Sequence, residues 1–331
     1  MDNPLTVLPD RVRRGRMSSI LVYGVVATVL AAAIMLTGRS CGRAEQPQSA
    51  RTAAAVDGIP GFHGLPSEGV DPVRDAAPPV AGAPLAGEVA EDRAVHALAD
   101  HPLFARHVGV HRVDCALPSW RDDQSGARAF YLAAIACLDA SWEPTLRGAG
   151  LPFRSPRLQV PESIPAVRGL CAPGDTEIRV GHYCPSTETI LLPMATVRPA
   201  VADSRRGAQL AALAHEYGHH IQSVIGVTRA YRDRRTSVGW DSAAGLELSR
   251  RLELQAACFS GMFLGTNAGR VDLDESSWTE AAAANRAAGD RPGEPRARGT
   301  DATVWGWWKW GSDTGDTWEC NTWYAAAAHV D

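Results

Sequence analysis

The hydrophobic positions of the chain follow two different periods, preceded by one long apolar run and an unpatterned stretch. Residues 20–36, ILVYGVVATVLAAAIML, are 17 uncharged and mostly apolar positions. With Ser18, Ser19, Thr37 and Gly38 the run reaches about 20 residues, enough to cross a bilayer as a helix. From 40 to about 89 the chain is rich in Pro, Ala and Gly without aliphatic periodicity, as in a flexible spacer. Apolar spacing of three and four then predicts helices over 94–107 and 127–146. The period changes at Ile178, Val180 and His182, and again over Thr189 to Leu192; Pro185 and Ser186 between them predict a hairpin. A helix follows, with Asp203 or Ser204 as its cap, a stripe of Leu210, Ala214, Tyr217, Ile221 and Val224, and Gly226 just past its end. Another is predicted over 242–264. A last one is announced by a capping box, Ser277 to Glu280, before an alanine run that stops at Gly289.

These elements predict a mainly helical α+β domain over residues 91–331, behind a cytoplasmic N-terminus (1–18), a transmembrane anchor (19–38) and a Pro/Ala/Gly-rich linker (39–90). Arg11, Arg13, Arg14 and Arg16 precede the apolar run and Arg39, Arg43 and Arg51 follow it, a modest bias toward a cytoplasmic N-terminus. A cleaved signal peptide is the competing reading, but no A-x-A site follows Leu36 closely. Cys41 lacks the apolar residue that a lipidation motif places three positions earlier, where Gly38 stands. The chain is therefore expected to be a single-pass membrane protein with an extracytoplasmic domain. The six remaining cysteines agree with that compartment, where up to three disulfides can form. None has the C-x-x-C spacing of a zinc ribbon.

Charge changes the picture little. The net charge is −4, and no Lys/Arg block lies outside the N-terminus, so nucleic acid is not an expected partner. All but one of the 33 basic residues are arginine, a composition from which no function follows.

The chemistry lies in AHEYGHHIQSVIG, which holds His215, Glu216, His219 and His220. His215 and His219 are one turn apart and about 40° apart around the helix, so their imidazoles can converge on one ion. Glu216 projects about 60° from His219, close enough to hold a water on the metal without being a ligand. This is the H-E-x-x-H geometry, in which two neutral nitrogens bind Zn²⁺ and a carboxylate deprotonates water. Gly218 in mid-helix costs about 1 kcal/mol of propensity and implies close backbone approach or a functional constraint. The metzincin arrangement is excluded, because Ile225 stands where its third histidine would be and Gln222 where its glycine would be. A later carboxylate must complete the site. The segment RRLELQAACFSG offers Glu253, 34 residues after His219, with Glu247 as the lesser candidate.

With these residues in view, the sequence resembles the family of "putative neutral zinc metallopeptidases", whose signature pairs HEYGHHIQ-type and ELQADCFAG-type segments; here they read HEYGHHIQ and ELQAACFSG. The likeness extends from about Cys171 to the end, through LCAPG, HYCPSTETILL, NRAAGD and SDTGDTWECNTW. It implies a zincin fold of the gluzincin kind, with zinc on His215, His219 and Glu253, Glu216 as general base, and a peptide or protein substrate. It also implies bridges Cys171–Cys184 and Cys258–Cys320, leaving Cys115 with Cys137. One departure stands out. Where the family has Asp four residues after the ligand Glu, this chain has Ala257, so the carboxylate expected to orient a zinc-bound histidine is missing; Asp241 or a backbone carbonyl are the substitutes considered.

Other residues carry weaker expectations. His220 points away from the metal and Tyr217 into the core, while Tyr231, His182 and Tyr183 could polarise a substrate carbonyl. WGWWKWGSDTGDTWECNTW holds six of the ten tryptophans. Packing of a terminal lobe is the favoured reading; a platform for cell-wall glycan or a membrane contact is the other.

Overall fold

The computed structural model describes residues 93–104, 108–163, 171, 181–194, 206–270 and 273–331. All of them fall in the unit Thr52–Asp331. The expected anchor over 19–38 and linker over 39–90 lie outside the described residues. Among those described, no helix is long and apolar enough to cross a membrane. The architecture is mainly helical with one small sheet.

Helix α1 spans Gln124–Gly148, where the 127–146 pattern predicted it; the Asp123 carboxylate caps its start by accepting from Gly126 N at 2.9 Å. Its inner face buries Phe130, Tyr131, Leu138 and Trp142. Strands β1 (Arg157–Gln159), β2 (His182–Cys184) and β3 (Thr189–Leu191) form a sheet in the order β1-β3-β2. The hairpin expected from the period change is β2–β3, antiparallel with His182 opposite Leu191. Ile178 and Val180 lie outside the described residues, as do Asp203 and Ser204. The parallel pairing of β1 with β3 has no counterpart in the sequence reading.

Helix α2 (Arg206–Ile225) carries the histidines and runs through the middle of the core, with Leu210, Ala214, Tyr217, Ile221 and Val224 buried. Gly226 ends it at φ +103°, a conformation that side chains disfavour, and α3 (Val227–Val238) starts at once. Helix α4 (Ala243–Thr266) begins on Ser242, whose hydroxyl accepts from Gly245 N at 2.9 Å. Helices α5 (Glu275–Asn285) and α6 (Asp301–Thr314) complete the layer around α2 and α4.

Two expectations are corrected. In the described part of the helix expected over 94–107, residues 94–104, the only helical element is the 3₁₀ turn Pro102–Phe104. Pro102 disfavours helical geometry at His101, and the His101 ring accepts from Leu103 N, so side-chain capping replaces the helical ladder. The start of α5 is also displaced. Asp274, not Ser277, is the cap, accepting from Ser277 N at 2.8 Å, and Glu280 reaches across to accept from Gly207 N in α2 at 2.8 Å.

The tryptophan-rich end packs inward. Trp307, Trp308 and Trp323 are fully buried and Trp305, Trp310 and Trp318 half-buried, so none of the six is free to form an exposed platform. The disulfides are Cys115–Cys137, Cys171–Cys184 and Cys258–Cys320, the pairings expected; the last ties α4 to the C-terminal segment.

Candidate metal centre

Helices α2 and α4 approach closely enough that a Cβ on Gly218 would lie 2.9 Å from Ala256 O and 3.0 Å from Ala256 Cα. The mid-helix glycine is therefore a contact point, and it sets the helix separation on which the site depends. From α2, His215 and His219 face α4 with ring centroids 4.8 Å apart. From α4, Glu253 meets them: its carboxylate lies 3.4 Å from His215 Nε2 and 3.6 Å from His219 Nε2. One donor atom from each of the three lies within 4.8 Å of the others. Glu247, the alternative ligand, is elsewhere, paired with Arg251 at 2.7 Å.

The donor set suits a divalent cation. His215 Nε2 is buried without a hydrogen-bond partner and faces the Glu253 carboxylate at 3.4 Å, an arrangement that costs free energy unless something lies between them. Two imidazole nitrogens and one carboxylate match the catalytic zinc pattern, which keeps a further position open. Arg298 Nη1 stands 3.1 Å from Glu253 Oε2 as an ion pair. Burial favours the neutral acid at Glu253, but Arg298 and His219 outweigh it and hold its pKa well below the usual carboxylate range. At His219 burial is likewise outweighed, here by Glu253 and Glu216, which raise its pKa.

His219 is oriented from behind. Its Nδ1 lies 2.8 Å from Gln222 Oε1, while Gln222 Nε2 donates to Leu252 O at 2.9 Å and Gln255 Oε1 at 3.0 Å. With its amide nitrogen committed, Gln222 can only accept from the histidine. That assigns a proton to Nδ1 and leaves Nε2 as the atom a metal would take. Gln222 thus serves His219, rather than Asp241 or a backbone carbonyl. The residue was legible as the i+3 neighbour of a ligand but was read only as a missing glycine. Ala257 is buried at 1% exposure and offers nothing polar.

Glu216 is buried at 8% and lines two hollows, of about 600 and 410 Å³, that flank the site and also share Gly181, Glu253 and Arg298. A Cβ on Gly181 would lie 2.8 Å from Glu216 Cγ, so the chain entering β2 passes directly over this carboxylate. His182, Tyr183 and Tyr231 line the smaller hollow; the Tyr231 hydroxyl accepts from Arg235 Nη1 at 2.5 Å. His220 faces away, donating through Nε2 to Arg154 O at 2.6 Å, with Tyr183 OH 3.1 Å from Nδ1. Tyr217 is in the core, its hydroxyl donating to Asp139 Oδ1 at 2.6 Å. Arg298 was missed, because a loop arginine 45 residues beyond Glu253 has no periodic signal. A second grouping, Cys171, His182 and Cys184, offers no thiolate, since its two sulfurs are joined.

Comparison with known proteins places the chain in a family. The chain is 26% identical over 213 residues to Uncharacterized protein YpfJ of Escherichia coli (strain K12), covering 60% of this chain and 72% of that protein. It is 29% identical over 213 residues to Uncharacterized protein Rv2575 of Mycobacterium tuberculosis (strain ATCC 25618 / H37Rv), covering 57% and 68%. No solved structure is a significant match. The defining pattern of the family described as "Putative neutral zinc metallopeptidase" matches residues 116–323, well over half the chain, and the protein belongs to that family.

Proposed function

We propose that the chain is a zinc-dependent peptidase of the gluzincin kind, hydrolysing peptide bonds outside the cytoplasmic membrane. The observation that carries this is the meeting of His215, His219 and Glu253 within 4.8 Å, beside a buried Glu216 that lines the hollows on both sides. His215, His219 and Glu253 would hold the ion. Zinc bound there supplies Lewis-acid polarisation of the substrate carbonyl and lowers the pKa of water.

The rest is the work of the chain's own groups. The Glu216 carboxylate takes the proton of the attacking water and passes it to the leaving amine. Its place between two hollows suits both transfers. Gln222 keeps the His219 lone pair aimed at the ion. The absence of a side chain at Gly181 leaves room for Glu216 and brings β2, one of the two outer strands of the described sheet, alongside it. An extended peptide can pair with such an edge.

Residues 19–38 would anchor the protein with its N-terminus in the cytoplasm. The apolar run, the arginines before it and three paired cysteine bridges support that placement. A second reading, favoured by Ala257, is a zinc-binding envelope module with weak or no catalysis. Zinc content and peptide hydrolysis of the full chain separate the two. The peptidase reading expects Glu216→Gln to keep zinc and lose at least about 100-fold in rate, and Glu253→Ala to lose both. Equal hydrolysis by all three chains removes the enzyme assignment.

A further inference from the structure

The larger hollow beside the candidate centre is walled by alanines. Its volume of about 600 Å³ falls within the roughly 300–1,000 Å³ usual for ligand pockets. One wall is Ala208, Ala211 and Ala212 of α2; the other is Ala284 of α5 with Ala287 and Ala288 just after it. The two helices are tied at one end by the bond from Gly207 N to Glu280 Oε2. Beyond that tie, short side chains leave open the space that longer ones would fill, and Val304 adds a further apolar surface.

The charged groups at the rim are already engaged. Arg291 donates through its backbone N to Glu294 Oε2 and through Nη2 to Ala287 O, both at 2.8 Å, and Arg298 pairs with Glu253. What the chamber presents to a solute is thus mainly apolar wall. It opens directly onto His215, Glu216 and Glu253. That continuity identifies the occupant as part of whatever molecule lies across the metal centre.

We infer that this chamber is the specificity pocket of the peptidase, receiving a bulky apolar side chain, of leucine or phenylalanine size, from a residue next to the cleaved bond. The inference rests on the peptidase reading above. Burial of such a side chain supplies binding free energy that glycine at the same position lacks.

The test uses the zinc-loaded full chain and end-blocked peptides that differ only in leucine or glycine at the positions flanking the bond. The wild type is expected to favour leucine by at least about tenfold in kcat/KM. Ala212→Phe and Ala287→Phe fill the chamber from opposite walls, and either is expected to bring that ratio close to one. An unchanged ratio in both folded variants overturns the inference. Binding of the same peptides to a Glu216→Gln chain gives a readout that needs no turnover. There too leucine should bind more tightly, and adding Ala212→Phe should abolish the difference. If the wild type cleaves nothing while this binding preference holds, the catalytic reading fails and the pocket stands; if binding does not discriminate, the pocket falls.

Discussion

Gln222 and His219 form a 2.8 Å hydrogen bond that continues, through Gln222 Nε2 to Gln255 Oε1 and Gln255 Nε2 to Cys320 O, as far as the Cys258–Cys320 bridge. The orientation of one ligand candidate is thereby coupled to the attachment of the C-terminal segment.

Gln222→Leu removes the acceptor that fixes the His219 tautomer. Zinc affinity, measured by competition with a chelator, is expected to fall about 10- to 100-fold. Gln222→Glu, which keeps an acceptor, should lose less. Equal affinity in all three chains would show that Gln222 does not position the ligand.

Cutting the far end of the same connection acts on stability first. The Cys258–Cys320 bridge spans 62 residues, and Cys258→Ser with Cys320→Ser is expected to cost about 2–5 kcal/mol in denaturant unfolding. Zinc affinity should fall with it, since the Gln255 acceptor is Cys320 O.

Gly218→Ala pits helix propensity against packing. Alanine gains about 1 kcal/mol as a helix former, yet its Cβ would sit 2.9 Å from Ala256 O. Parting the two backbones should cost about 1–3 kcal/mol, so thermal melting is expected to show a net loss. A higher melting temperature would mean that the helices are not held at that contact.

Ala257→Asp puts a carboxylate one turn after Glu253 at a site of 1% exposure. The metal-free protein should be less stable, and zinc affinity should rise if the new carboxylate reaches a ligand histidine. Chelator competition together with a melt of the metal-free chain reads both effects.

Acid should destabilise the fold through two buried histidines. His101 donates from Nε2 to Ile225 O and accepts at Nδ1 from Leu103 N, a pattern that requires the neutral ring. Burial lowers its pKa to about 4, and that of His220 to about 4. Unfolding returns both to about 6.5, so the unfolded chain binds more protons between those values, and stability falls as pH drops from about 6.5 to 4. Roughly 3 kcal/mol per histidine is at stake. Urea unfolding at pH 7 and pH 5 measures it, and replacing His101 by Asn should flatten the slope.

How far the sequence could be read depended on what kind of signal each feature leaves. His215, Glu216 and His219 were legible because helical periodicity alone brings them to one face. Glu253 was named from the residues as the single inward carboxylate of an apolar helix, with Glu247 kept as the lesser candidate, and the family resemblance then pointed to Glu253 as well. Arg298 owes its place to a loop fixed by tertiary contacts: the Asp290 carboxylate accepts from the backbone N of Arg298 and Gly299 at 3.0 and 2.9 Å. No local pattern encodes that. Helix α3 went unseen because only Val227, Ala230 and Tyr231 face inward along its 12 residues. The short parallel β1 gave three residues of signal, too few for any period. The apolar spacing of 94–107 misled because the same positions, Leu98, Leu103 and Phe104, are buried by an irregular chain.

The contact between Gly218 and Ala256 has one more implication. It is made by main chain, which cannot swing aside as a side chain can, so the span from the imidazole pair to Glu253 has little give. A cation of larger radius would have to pry two helices apart to enter. The spacing of the backbones would in this way add a restraint on ionic size to the preference set by the ligands.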